Sequence, residues 1–156
     1  MYIILLTLSR NIYFYKKVEL KDTFETRIYL MFIHFSILLI IAKKKKFKFD
    51  QKVYDFFFFN IENDLRELGY GDVTVNKKMK ELNKIFYDIL LKLDLEKNND
   101  NNFLINSSII KLYFDYLDDG KEKKIAYFKD YFISFFNFFF DKPPENMIDS
   151  LGNFKF

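Results

Sequence analysis

With 156 residues, 50% of them hydrophobic and 30% charged, the chain is long enough for one domain with a real core and too short for two. Cysteine is absent, which excludes disulfides, thiol nucleophiles and thiolate metal sites. A formal charge of +3, from 25 basic and 22 acidic residues, is too balanced to mark a general nucleic-acid binder. The first stretch, "MYIILLTLSRN", lacks the basic leader and the small-residue cleavage site of a secretion signal. It reads instead as a helix with Ile4, Leu5, Leu8 and Ile12 on one face and Ser9 and Arg10 turned elsewhere. Its abrupt apolar start suggests a missing first turn.

The next helix opens at "KDTFETR", where Asp22 is placed to cap and Glu25 to reach back to its amide. It continues through the apolar run 28–42, interrupted only by His34 and Ser36, to the lysines Lys43 to Lys46, which suit a helix C-terminus. A bilayer span takes about 20 apolar residues. This shorter run is expected to be a central core helix, with a membrane segment as the alternative. Asp50 is placed to cap a following helix whose Val53, Phe57, Ile61, Leu65 and Leu68 share a face, and Gly69 ends it. The clearest amphipathic pattern comes next, with Val75, Met79, Leu82, Phe86, Ile89 and Leu93 as its buried stripe. The polar stretch 96–102 reads as a loop, and helices are expected near 104–117 and 121–140, with Gly120 as a stop between them. The last presents Ile125, Phe128, Phe132, Phe135 and Phe139 together and ends before Pro143 and Pro144. The expected fold is therefore all-α, a single-domain bundle of about five to six helices over 1–142, with 143–156 a loosely docked tail.

An enzyme reading fails for lack of parts. The only histidine, His34, lies inside an apolar run, without a second histidine or a cysteine to complete a nucleophilic pair or a zinc site. A buried histidine bonded to a neighbouring helix is the simpler expectation. Gly69 and Gly71 lack the remaining glycines and the lysine-serine/threonine ending of a phosphate loop. The 22 Phe and 11 Tyr are explained more simply by AT-rich codons and core stripes than by an aromatic ligand box. Two basic stretches, 43–48 and the group Lys77, Lys78, Lys80 and Lys84, either solvate helix surfaces or lean on phosphate.

At "NDLRELGYGDVTVNKKMKELNKIFY", 63–87, the sequence resembles the ubiquinol-cytochrome c chaperone family, with its leucine-arginine-glutamate, glycine-any-glycine-aspartate and lysine-rich helix. Upstream, Arg10, Tyr15, Asp22, Arg27 and His34 follow the same family pattern, so that the resemblance covers roughly 9–87. Tyr70 stands where a smaller aliphatic is usual, and Asp88-Ile89 where the family tends to have glycine and arginine. The resemblance implies a non-enzymatic assembly factor that holds newly made cytochrome b and helps it into the bc1 complex, near the ribosome and in peripheral contact with a membrane. A small partner subunit fits the same picture. No cofactor, metal or small-molecule substrate is expected, and the short chain without an evident presequence favours a bacterial cytoplasm, at the inner face of the inner membrane, over a mitochondrial matrix.

On this reading Gly69 ends a helix, Tyr70 docks its ring, Gly71 turns the chain tightly, Asp72 and Thr74 satisfy the next helix's first amides, and Arg66 pairs with Asp72. Arg66, Tyr70, Asp72, Lys77, Lys78, Lys80 and Lys84 are the candidate client- or ribosome-binding residues. Two other classes remain open: a basic RNA- or ribosome-associated module without a client, and a membrane protein built around 28–42.

Overall fold

The computed structural model describes residues 1–95, 103–114 and 121–156. Within them the chain forms α1 (Tyr2–Ser9), α2 (Ile12–Lys16), α3 (Phe24–Lys44), α4 (Gln51–Glu67), α5 (Asp72–Leu95), α6 (Ser107–Tyr113) and α7 (Glu122–Phe140). Two 3₁₀ turns, Pro144–Asn146 and Leu151–Asn153, follow, and the described residues contain no strand. The all-α bundle is the expected one. The loop at 96–102, the end of the 104–117 helix and the stop at Gly120 lie outside the described residues.

The bundle is organised around α3. This helix is buried almost all round from Ile28 to Ala42, and α1, α5 and α7 pack against it. It is long and apolar enough to cross a membrane by length and composition, but 78% of its most apolar stretch is covered by the protein's own helices. On one flank Phe32 and Phe35 meet Phe57 of α4 and Phe86 of α5, with the Phe35 and Phe57 ring centres 4.7 Å apart. On another, the rings of Phe14, Phe128, Phe132 and Phe135 gather with His34 and Tyr131. The phenylalanine excess is thus largely core packing. Each fully buried Phe, Leu or Ile contributes roughly 2 kcal/mol of gross apolar burial, before chain entropy is set against it.

Several local expectations are revised. The N-terminal helix breaks at Arg10, because Asn11 caps a new helix by accepting the Tyr13 amide at 2.9 Å. The break turns Ile12 out to solvent and buries Ser9, whose hydroxyl donates to the Leu6 carbonyl at 2.7 Å. Thr23, not Asp22, caps α3, accepting the Thr26 amide at 3.1 Å, and Asp22 instead pairs with Arg27 at 2.7 Å. Asp50 does cap α4, accepting the Lys52 amide at 2.9 Å. The C-terminal tail is docked rather than loose: Met147, Leu151 and Phe154 are buried, the last against Tyr131 and Phe135. Two of the 43–46 lysines are used for packing, since Lys43 pairs with Asp94 and Lys45 donates to the Phe140 and Lys142 carbonyls at the end of α7. An ammonium group there both satisfies orphan carbonyls and meets the negative end of the helix dipole.

His34 is a core residue, as its apolar setting implies. Its Nδ1–H donates to the Leu30 carbonyl at 2.6 Å, because a carbonyl can only accept, which leaves Nε2 to accept the Tyr131 hydroxyl at 3.0 Å. The neutral ring therefore ties α3 to α7. Burial pushes its pKa down to about 3, against a smaller upward pull from the Leu30 carbonyl. Because the unfolded chain takes up this proton near pH 6.5 and the folded one does not, stability falls as pH drops from 6.5 toward 3. In chemical unfolding between pH 7 and 4.5, the native chain is expected to lose on the order of 1 kcal/mol per pH unit more than His34→Gln, which keeps the carboxylates common to both. Parallel profiles would contradict the assignment.

Candidate functional site

The corner between α4 and α5 is built by backbone hydrogen bonding. The Gly69 amide donates to the Arg66 carbonyl at 2.9 Å and the Tyr70 amide to the Leu65 carbonyl at 3.4 Å, the paired closure of a helix that ends in a left-handed residue. Gly69 supplies that residue, with φ +93°. Gly71 does not have a positive φ, and a Cβ added there would meet open space, so the expected tight turn at Gly71 belongs to Gly69. Gly71 instead opens α5, its carbonyl accepting the Val75 amide at 2.9 Å. Asp72 is consequently the first residue of α5, not its cap, with Thr74 also inside the first turn. The Asp72 carboxylate is held by Arg66, whose guanidinium also reaches Glu62 at 2.7 Å. The Arg66–Asp72 pair across the corner is the one the sequence suggested. Tyr70, partly exposed, carries the Lys78 ammonium 4.7 Å from its ring centre.

The upstream residues arrive at this corner through α3. Arg10, at the end of α1, and Arg27, in the first turns of α3, line an open cavity of about 400 Å³ with Leu6, Phe24, Asp64, Glu67 and Leu68. Phe24 and Leu68 also wall a second, smaller cavity of about 120 Å³, whose other sides include Glu25, Tyr29, Leu65, Tyr70, Lys78 and Glu81. The two cavities adjoin along Phe24 and Leu68 and together make a groove over the start of α3 and the end of α4. Its charges are partly spoken for. Arg27 is paired with Asp22, and Asp64 accepts the Tyr2 hydroxyl, whose pKa rises through burial first and this carboxylate second.

The predicted residues thus divide. Arg10, Arg27, Tyr70 and Lys78 meet at the groove. Arg66 and Asp72 brace the corner beside it. Lys77, Lys80 and Lys84 point away on the outer face of α5, exposed, in line with the exposed apolar residues Val73, Tyr87 and Leu91. Tyr15 and His34 lie outside the groove: the Tyr15 hydroxyl donates to the Ser9 carbonyl at 2.6 Å, and His34 is in the core. Asp88, one of the departures from the family pattern, is held by Lys92 at 2.7 Å and by the Tyr113 hydroxyl. Sequence reasoning named neither Phe24, Tyr29 nor Glu81 for the site, gave Glu25 only a capping role, and placed Leu68 in the buried stripe of α4. Leu68 is 56% exposed, because the helix ends beneath it.

An all-α bundle with an apolar-walled groove rimmed by mixed charge has the make-up of a binding protein. The model of the ubiquinol-cytochrome C chaperone family matches residues 16–107, more than half of the chain, and the chain belongs to that family. Membership supports a chaperone and assembly role toward the bc1 complex. The matched span begins after Arg10 and Tyr15 and runs past Tyr87 through the whole of α5. Neither the curated proteins nor the solved structures contain a match to this chain.

The corner assigns unequal roles to its two glycines. Gly69→Ala, forced into a left-handed backbone, is expected to lower stability by about 1 kcal/mol, whereas Gly71→Ala is expected to change it by only a few tenths. Urea unfolding of the two variants measures both. Equal losses would contradict the assignment of the turn to Gly69.

Proposed function

We propose that this protein holds newly synthesised cytochrome b in the groove around Phe24 and Leu68 and thereby assists assembly of the bc1 complex. The observation that carries the reading is the convergence of Arg10 and Arg27 with the α4–α5 corner at one groove, although they are far apart in sequence. A cytochrome b chain before assembly presents long apolar helices, and a groove of Phe24, Leu65, Leu68, Leu82 and Ile85 offers apolar surface to part of one. Most of the chain's other large apolar side chains are spent on its own core, while Phe56 and Phe59 on α4 and Val73, Tyr87 and Leu91 on α5 are exposed outside the groove.

The outer face of α5 supports a second contact. Lys77, Lys80 and Lys84 lie at helical spacing, exposed and outside any ion pair among the described residues. Such a row suits phosphate, and we assign it to the ribosome that delivers the client, with anionic lipid headgroups sharing the same chemistry. The protein then works in a bacterial cytoplasm at the inner face of the inner membrane, or in the matrix of a mitochondrion, with room for a small partner subunit.

A photoreactive residue at Leu68 is expected to label nascent cytochrome b in a translation extract and to spare an equally hydrophobic unrelated membrane protein. The same residue placed at Phe59, on the outward face of α4, serves as the control. Equal labelling of both clients from Leu68, or none, would overturn the dedicated role. Replacing Lys77, Lys80 and Lys84 together by alanine is expected to reduce co-sedimentation with ribosomes and flatten its dependence on salt. Unchanged sedimentation would remove the lysine row from the account.

A further inference from the structure

The smaller cavity has a chemistry that apolar holding alone does not require. Its volume of about 120 Å³ is of the order of a single long side chain, not of a helix. Leu65, Leu82 and Ile85 give it aliphatic walls, Tyr29 and Tyr70 give it two aromatic rings, and Glu25 and Glu81 give it two carboxylates. These carboxylates come from different helices, Glu25 from the first turn of α3 and Glu81 from the middle of α5. Both lie close enough to the Tyr29 hydroxyl to raise its pKa, although burial is the larger cause. Neither is in an ion pair among the described residues. The one cation in the wall, Lys78, is placed over the Tyr70 ring. The cavity therefore has a net negative charge beside an apolar surface.

The geometry points to a pocket for a lysine or arginine side chain of the client polypeptide, its stem along Leu65, Leu82 and Ile85 and its charge between Glu25 and Glu81. A long basic side chain buries an apolar stem and keeps its charged head at a polar rim, which matches aliphatic walls crowned by carboxylates. The aromatic ring of Tyr29 adds a second attraction for a cation, that of Tyr70 being taken by Lys78. Polytopic membrane proteins carry lysine and arginine in excess just beyond the ends of their apolar segments on the cytoplasmic side. A groove that takes an apolar segment around Phe24 and Leu68 and a basic residue next to it reads the end of such a segment. The inference rests on the reading of the groove as the client site and adds what selects the register of the client within it.

Glu25 also has a local task, since an acidic residue in the first turn of a helix favours the positive end of its dipole. Glu81, in the middle of α5, has no such task, and it separates recognition from helix stability. The probes are two labelled peptides with one leucine-rich segment, ending either in lysine and arginine or in glutamine at the same positions. Their binding to the full chain is measured by fluorescence anisotropy. The basic peptide is expected to bind about tenfold more tightly than the glutamine peptide, a preference reduced in Glu81→Gln and abolished in Glu25→Gln/Glu81→Gln. Glu81→Lys is expected to reverse the preference toward a third peptide ending in glutamate, which loss of stability alone would not do. Equal binding of the basic and glutamine peptides, no binding of either, or a preference that survives the double substitution would overturn the pocket. The peptides contain no cytochrome b sequence, so this result and the crosslinking from Leu68 fail independently.

Discussion

The burial of α3 is the constraint on which the rest depends. A helix that is apolar on every side has no solvent face, so the remaining helices must enclose it. The chain meets this with amphipathic helices whose stripes all turn inward: Phe57, Ile61 and Leu65 on α4, Val75, Leu82, Phe86, Ile89 and Leu93 on α5, and Phe128, Phe132, Phe135 and Phe139 on α7. The polar atoms carried into this interior are few, and His34 shows how one is accommodated. Its two ring nitrogens find one acceptor and one donor, so the ring stays neutral and joins two helices.

Enclosure is least complete at the beginning of α3, and the groove lies there. Phe24 is only half-buried, α1 stops at Ser9, and α4 ends under Leu68. What keeps the groove in shape is the corner, because the backbone closure at Gly69 sets where α5 starts and hence where Tyr70, Lys78 and Glu81 stand, with the exposed Arg66–Asp72 pair spanning the same turn. Under the proposed function this groove is the client's seat, since a chaperone needs exposed apolar surface for its client and must limit that surface to avoid indiscriminate association. The bundle buries most of its phenylalanines and opens a groove at this corner, with Phe56, Phe59 and Tyr87 exposed elsewhere on its surface.

The fold was legible because periodicity reports burial directly. The stripes of α5 and α7 stand in the structure as the spacing of their apolar residues implied, except that Met79 is only half-buried, and the Asp50 cap and the Arg66–Asp72 pair could be read from local chemistry. Local chemistry misled where two residues competed for one role. Asp22 and Thr23 both suit a cap, and the choice of Thr23 is tied to Arg27 holding Asp22, a contact five residues away. Gly69 and Gly71 both look like turn residues, and only the backbone distinguishes them. The groove itself was half legible. Arg10, Arg27, Tyr70 and Lys78 were named from the sequence, but their meeting depends on how α1 and α3 pack beside the corner, and no spacing along the chain encodes that. Leu68 misled because a residue on an apolar stripe is buried only while a neighbouring helix covers it.

The central claim is that protein, not lipid, encloses α3, which leaves the groove at its start as the open surface. Hydrogen exchange of the full chain in detergent-free buffer tests it most directly. The account predicts that the amides of 30–42 exchange most slowly in the molecule, at the rate of global unfolding, while those around Phe24 and Leu68 open more readily. Rapid exchange across 30–42 that slows only when detergent or lipid is added would contradict it.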